Sequence, residues 1–272
     1  MSFSNFQIGE NTFQIRTTSR RFALWMNAAL SEYRIRKKAP VAFSVLLAGG
    51  EVERIRARKP FHILYQGGGQ LLRTKDIGAL ARGLFAEIER LLMPDRDDAV
   101  YLQTPAIALD GRIALVPDFY RRTLGRLGRR PELAGLRLPV DRVVAVDETG
   151  QVVPITPQLR IPEDAIDRVI KKFGSDGAAP VRIDRPRSPH VVVGTVLNAT
   201  PDDHLRPMSR GRALYCLATD AINTPKVGSE RVLDTLARLV EGAGGCYSYY
   251  PDAATPQART QLLTGLTELL KG

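Results

Sequence analysis

Tyr101-Leu102-Gln103-Thr104-Pro105-Ala106-Ile107-Ala108-Leu109-Asp110-Gly111-Arg112-Ile113-Ala114-Leu115-Val116-Pro117 sets two apolar runs on either side of Asp110-Gly111. Both central residues of a type I′ hairpin turn need positive φ, which Asp-Gly supplies at low steric cost. The stretch therefore predicts a strand from Val100 to Leu109, a two-residue turn and a returning strand from Arg112 to Val116. Downstream, Val143 to Val146, the turn Asp147-Glu148-Thr149-Gly150 and Val152-Val153 repeat the hairpin signal. Pro154, Pro157 and Pro162 punctuate a loop, and the small, polar Gly174 to Pro180 stretch reads as another. Strand patterns return at Val181-Arg182-Ile183, at His190 to Leu197 and at Cys246 to Tyr250. The C-terminal part is otherwise helical. Ser209 caps a helix with Ala213, Leu214 and Leu217, and Ser229 caps one with Val232, Leu233, Leu236, Leu239 and Val240 that Gly242 closes. Thr255-Pro256 opens a last helix with Leu262, Leu263, Leu266, Leu269 and Leu270, Pro256 taking the favoured first position.

Upstream, Phe13-Gln14-Ile15 alternates as a strand does, and Ser19 reads as the cap of a helix whose apolar face is Phe22, Trp25, Met26, Ala29 and Tyr33. Val41 to Ala48 is a strand-like run. Phe61 to Tyr65 pairs with Gln70 to Arg73 across Gly67-Gly68-Gly69, and Thr74 caps a helix carrying Ile77, Leu80, Ala81, Leu84, Ile88 and Leu91. Pro94 stops that helix, and Asp95-Arg96-Asp97-Asp98 reads as a solvated connector. The expected fold class is α/β of the α+β kind: a basic N-terminal α/β domain over 1–94, then a mixed-sheet domain over 98–272 with C-terminal helices.

The chain has 272 residues, 44% of them hydrophobic and 25% charged, enough apolar material for an ordinary core. It lacks an apolar run of the roughly 20 residues a membrane span needs, and Met1-Ser2-Phe3-Ser4-Asn5 does not resemble a signal peptide. Two cysteines are too few for a disulfide framework, so a soluble, reduced, cytoplasmic protein is expected. Net charge is +10, with 31 Arg against 8 Lys. Residues 1–93 hold 15 of the basic and 7 of the acidic residues, a net of +8; 94–170 carry −1 and 171–272 carry +3. Such a field draws an anionic partner, and Arg favours planar, bidentate pairing with phosphate or carboxylate. Arg-rich codon usage and general solubility explain the same composition without any partner.

The quoted stretch resembles the opening of the HPr-kinase-like fold, in which a strand carrying a histidine leads through an Asp-Gly hairpin into a Leu-Leu-Pro strand and then a P-loop. The resemblance continues through Asp141-Arg142-Val143-Val144-Ala145-Val146-Asp147 and Gly150-Gln151-Val152-Val153-Pro154. It extends more weakly through Pro207-Met208-Ser209, Ala213-Leu214, Asn223 and Leu236-Ala237-Arg238-Leu239-Val240, so that roughly 98–250 are covered. Three departures matter. A phosphate-cradling loop needs glycines for close backbone approach and a lysine for the β- and γ-phosphates. Here Val116-Pro117 runs into Asp118-Phe119-Tyr120-Arg121-Arg122-Thr123-Leu124, without a glycine between Gly111 and Gly125 or a lysine between Lys75 and Lys171. The position of the family histidine is Gln103, which cannot act as a base. Of the paired aspartates Asp141 remains, but its neighbour is Arg142. Gln103, Asp141 and Arg142 are thus vestigial kinase positions, and the resemblance implies a degenerate member without kinase chemistry or cofactor.

Other candidate sites are weaker. Gly67-Gly68-Gly69 precedes no immediate helix and suits a hairpin turn better than a phosphate loop. Asp202, Asp203 and His204 lack further ligands at metal-binding spacing, so no metal is expected. Cys216 falls on an apolar helix face, His62 inside a strand, and Tyr247 and Tyr249 on a half-buried strand, all of which packing explains. The cluster Arg54-Ile55-Arg56-Ala57-Arg58-Lys59 stands out: alternation puts Arg54, Arg56 and Arg58 on one side of an extended segment. Such a segment serves either as a charge-protected edge or as an edge that accepts an acidic peptide by strand addition. Tyr65 and Arg73 on the neighbouring hairpin are further contact candidates.

Degenerate HPr-kinase-like proteins resemble the peptide-binding proteins of crocagin-type biosynthesis, which handle ribosomally made, post-translationally modified (RiPP) peptides. The resemblance implies a non-catalytic accessory protein that holds a precursor or leader peptide, expected to be acidic, for the modifying enzymes of its pathway; self-association is compatible with it. An HPr-type serine kinase with a non-standard phosphate site ranks second. A basic nucleic-acid-binding protein ranks third, since the chain shows no recognition helix, RNP motif or zinc finger. A membrane is not among the expected partners.

Overall fold

The computed structural model describes residues 1–47, 61–117, 143–173, 183–195, 205–249 and 256–272. The chain is an α/β protein with mixed sheets. It divides into two compact units, Met1–Leu92 with Pro157–Ala179, and Met93–Thr156 with Pro180–Gly272. The later stretch 157–179 thus belongs with the first unit, where the sequence reading has two consecutive domains.

In the first unit β1 (Ser2–Ile8) and β2 (Asn11–Thr17) form a hairpin that the sequence reading does not contain. Its inward residues, Ser4, Phe6 and Ile8, alternate, but Ser4, Asn5 and Gln7 dilute the apolar signal. Next come α1 (Arg20–Ala29), β3 (Val41–Leu46), β4 (His62–Gln66), β5 (Gly69–Thr74) and α2 (Ile77–Leu92). The β2–α1–β3 crossover makes β3 parallel to β2; the remaining neighbours are antiparallel, in the order β1-β2-β3-β4-β5. Gly67 and Gly68 turn the β4–β5 hairpin at positive φ. Ser19 caps α1 as expected, accepting from Phe22 N–H. The cap of α2 is Asp76, whose Oδ1 accepts from Gly78 and Ala79 N–H, while Thr74 accepts from the N–H of Asp76 itself. One face of the sheet contributes Phe6, Ile8, Phe13, Ile15, Phe43, Val45 and Leu64 to a core shared with Phe22, Trp25 and Met26 of α1 and with Ile77, Leu80, Leu84 and Ile88 of α2. Each such side chain contributes about 1.5–3 kcal/mol on burial. Helix α3 (Ala165–Phe173) adds Ala165 and Val169 to this core. Trp25 Nε1 donates to Ala165 O at 2.8 Å, and the Glu89 carboxylate accepts from the N–H groups of Gln158 and Leu159.

In the second unit the expected strand from Val100 to Leu109 is two strands in two sheets. β6 (Val100–Leu102) lies at the edge of a three-stranded sheet, and β7 (Ala106–Leu109) at the edge of a five-stranded one. Pro105 has no N–H to continue a ladder. Gln103 N–H donates to Asp220 O and Thr104 Oγ1 to Asp220 Oδ2, so the chain turns there. β7 and β8 (Arg112–Leu115) form the expected hairpin, with Asp110 at φ 48° and Gly111 at φ 84°. β9 (Val144–Val146) and β10 (Val152–Val153) form the second one beside β6. The larger sheet runs β12-β13-β11-β8-β7, where β11 is Val191–Thr195, β12 Arg206–Pro207 and β13 Gly245–Tyr249; β8, β11 and β13 are parallel.

The sequence after β11 supplies α4 (Arg210–Thr219), the short α5 (Thr224–Val227), α6 (Ser229–Gly242) and α7 (Pro256–Lys271). Val192, Ile113 and Leu115 face Ala213 and Leu217 of α4 and Leu236 and Val240 of α6, whereas Val191, Val193 and Ala114 face Leu263, Leu266 and Leu270 of α7. Ser209 caps α4 as expected. Gly228, at φ 92°, caps α6, and Ser229 is its first residue. The connector 95–98 differs most from its solvated reading. The Arg96 guanidinium is buried, bonded to both Asp98 oxygens and to Thr156 O, and lies 4.8 Å from the Tyr101 ring centroid. Strand residues 181–182, 196–197 and 250 and the 174–180 loop lie outside the described residues.

Candidate functional site

The face of the first sheet turned away from α1 and α2 is the most distinctive surface of the first unit. Strand register puts Phe3, Arg16, Ser44 and Tyr65 opposite one another across β1 to β4. A second row, Leu46, Ile63 and Arg73, runs beside it on β3 to β5. Phe3 is 56% and Leu46 37% exposed, large values for apolar side chains on regular strands. A groove of about 280 Å³ on this face has a lining that includes Met1, Arg16, Ser44, Leu46, Tyr65 and Gly68.

Charge on this sheet has one sign. The five strands contain no Asp or Glu, and their charged residues are Arg16 and Arg73. Arg16 Nε donates to Ser44 Oγ at 2.6 Å, which fixes the guanidinium over β3. Among the described residues no carboxylate pairs with Arg16, leaving the donors on its two terminal nitrogens for a ligand. The Arg73 guanidinium stacks 4.0 Å from the Phe61 ring centroid, and Lys75 Nζ lies 5.6 Å from it. A fixed guanidinium beside a phenol and exposed apolar side chains can bind an anionic, partly apolar ligand. Among the described residues of this face, no nucleophile stands beside a base.

Of the residues singled out from the sequence, Tyr65 and Arg73 share this face. Arg54, Arg56 and Arg58 lie outside the described residues, as do Asp141, Arg142, Asp202, Asp203 and His204. Gln103 sits at the crossing between the two sheets of the second unit, its N–H held by Asp220 O. Tyr249 is a core residue beneath α7, with Tyr247 packed against the same cluster. Cys216 is half-buried opposite Gly194, where an added Cβ would lie 2.9 Å from Cys216 Sγ. Burial pushes the Cys246 thiol above its ordinary pKa, which lowers its thiolate fraction further.

Arg16 stands outside any arginine cluster in the sequence. The signal was nonetheless there: in Phe13-Gln14-Ile15-Arg16-Thr17 alternation puts Arg16 opposite the apolar face, within strands lacking any carboxylate. In the second unit, the parallel strands β8, β11 and β13 run at their C-terminal ends toward 118–142, 196–204 and 250–255, all outside the described residues. Among the described residues, no group of three His, Cys, Asp or Glu side chains could hold a metal ion, and no helix is long and apolar enough to cross a membrane. No family model, curated protein or solved structure matches the chain.

Proposed function

We propose that this protein is a non-catalytic, cytoplasmic peptide-binding accessory protein that holds an acidic precursor peptide for modifying enzymes, as in RiPP biosynthesis. The observation that carries the reading is the outer face of the first sheet, whose strands hold no Asp or Glu, with Arg16 held by Ser44, paired with no carboxylate among the described residues, and set among exposed apolar side chains. Peptide ligands are recognised through alternating side chains, with charge setting specificity, and such a face offers both elements. The HPr-kinase-like resemblance supports the same direction, because the residues that depart from it are those a phosphoryl transfer needs: the P-loop glycines and lysine, the histidine replaced by Gln103, and the acidic partner replaced by Arg142.

Parallel titrations of the full chain test the proposal. A synthetic acidic peptide, its neutral Gln-substituted counterpart and a mixed-sequence oligonucleotide are followed by fluorescence anisotropy at low and at physiological salt. Saturable binding of the acidic peptide is expected, weaker for the neutral one and weakening as salt screens the charges. Oligonucleotide binding without peptide binding would replace this function with nucleic-acid recognition.

A further inference from the structure

The two side-chain rows on the outer face of the first sheet carry different chemistry at a fixed separation. Arg16 and Ser44 belong to one row; Leu46 and Ile63, on β3 and β4, belong to the next. Ser44 and Leu46 are two residues apart on one strand, so the rows are separated by roughly 7 Å. An extended peptide laid along the strand direction repeats its side chains at the same interval. We propose that the groove reads an acidic–x–apolar motif: a Glu or Asp carboxylate on the Arg16 guanidinium, and an apolar side chain two positions away over Leu46 and Ile63. This rests on the peptide-binding reading and adds the register and the residue that sets it.

Three observations converge on Arg16. Its Nε is held by Ser44 Oγ at 2.6 Å, so the fork is oriented before a ligand arrives. A pre-oriented guanidinium loses less side-chain entropy on pairing than a free one. The strands around it supply no carboxylate that an incoming acid would have to displace. Finally, the exposed apolar surface lies on both sides, Phe3 in the same row and Leu46 in the next, so a purely polar anion would leave it wet. Phosphate anions lack the apolar group that this surface would cover. Arg73, opposite Ile63 in the second row, lies beside the apolar position, its guanidinium stacked on Phe61.

The test is a double-mutant cycle on the full chain with labelled peptides of about ten residues. One peptide has Glu and Leu spaced by one residue, a second has them adjacent, a third carries Gln for Glu, and a fourth Ser for Leu. Wild type is expected to bind the first peptide about three- to fivefold more tightly than the Gln peptide, the effect of an ion pair at an exposed guanidinium. Arg16→Gln should lose that preference while binding the Gln peptide as wild type does. Leu46→Ser, at an exposed position that leaves the core intact, should instead abolish the preference for Leu over Ser. The adjacent-spacing peptide should bind several-fold more weakly than the spaced one. Equal binding of the two spacings, or an equal loss for all peptides in Arg16→Gln, overturns the register. Failure of every peptide to bind wild type removes the peptide-binding reading itself.

Discussion

Asn223 has no exposed surface, and its amide is fully used: Oδ1 accepts from Tyr101 N–H at 3.0 Å, and Nδ2 donates to Arg96 O and Ala99 O at 2.9 and 2.7 Å. It ties the chain before β6 to the loop before α5. Asn223→Ala would leave three buried backbone groups unpaired, each costing about 1–3 kcal/mol before relaxation, so a net loss of about 3 kcal/mol is expected in urea unfolding. An unchanged midpoint would mean that water replaces the amide. The neighbouring Asp98 supplies a pH dependence. Hydrogen bonding to Arg96, with further help from its charge and from Tyr101 Oη–H, holds the Asp98 carboxyl below its ordinary value of 3.8. A carboxyl depressed in the folded state stabilises it above the unfolded pKa, and that stabilisation is lost as pH falls through the lower folded value. Thermal melts should therefore fall less steeply below about pH 4 in Asp98→Asn than in wild type. The effect is small, because half of the Asp98 side chain is exposed and solvent screens the pair.

Turns and helix docking carry the next level. Gly150, at φ 80°, closes the β9–β10 turn, and a Cβ there would lie 2.5 Å from Leu239 N of α6. Gly150→Ala combines backbone strain with a clash against main chain, for an expected loss of about 2–3 kcal/mol. Gly68→Ala, also at positive φ but with open space around it, should cost only about 1 kcal/mol. Equal losses at the two positions would remove the clash from the account. Trp25 is the chain's one tryptophan, hydrogen-bonded to Ala165 O of α3, and so reports the docking of that helix. Val169→Ala should cost about 1–2 kcal/mol and bring the Trp25 red shift to lower urea. What the sequence makes legible at this scale is local. Asp110-Gly111, Asp147 to Gly150, and the Ser19 and Ser209 caps each act within a few residues, and the structure has them as read. The division of 100–109 between two sheets depends on Asp220, over a hundred residues away, and the return of 157–173 depends on Glu89, Tyr33 and Trp25. Neither pairing has a local signature. Tyr65 and Arg73 lie on a hairpin whose signal in the sequence is local. Alternation in β2 puts Arg16 opposite the apolar face, but its contact with Ser44 depends on the parallel pairing of β2 and β3, which has no local signature.

At the scale of the whole molecule, the net charge of +8 on residues 1–93 and the strands without Asp or Glu within that segment give the field that the proposed acidic peptide would meet. With the P-loop glycines and lysine missing from 112–124, titration with Mg-ATP should give no saturable heat, and a phosphotransfer assay no labelled product. Micromolar ATP binding abolished by Asp141→Ala would restore the kinase reading. The central claim, that an acidic peptide covers the outer face of the first sheet, is tested most directly by hydroxyl-radical footprinting of the full chain with and without that peptide. Phe3, Leu46 and Tyr65 all present side chains on that face, while Tyr215, 71% exposed on α4 of the second unit, serves as the internal reference. The account predicts that oxidation of Phe3, Leu46 and Tyr65 falls together on saturation while Tyr215 stays constant. Protection of Tyr215 with the three face residues unchanged would contradict it.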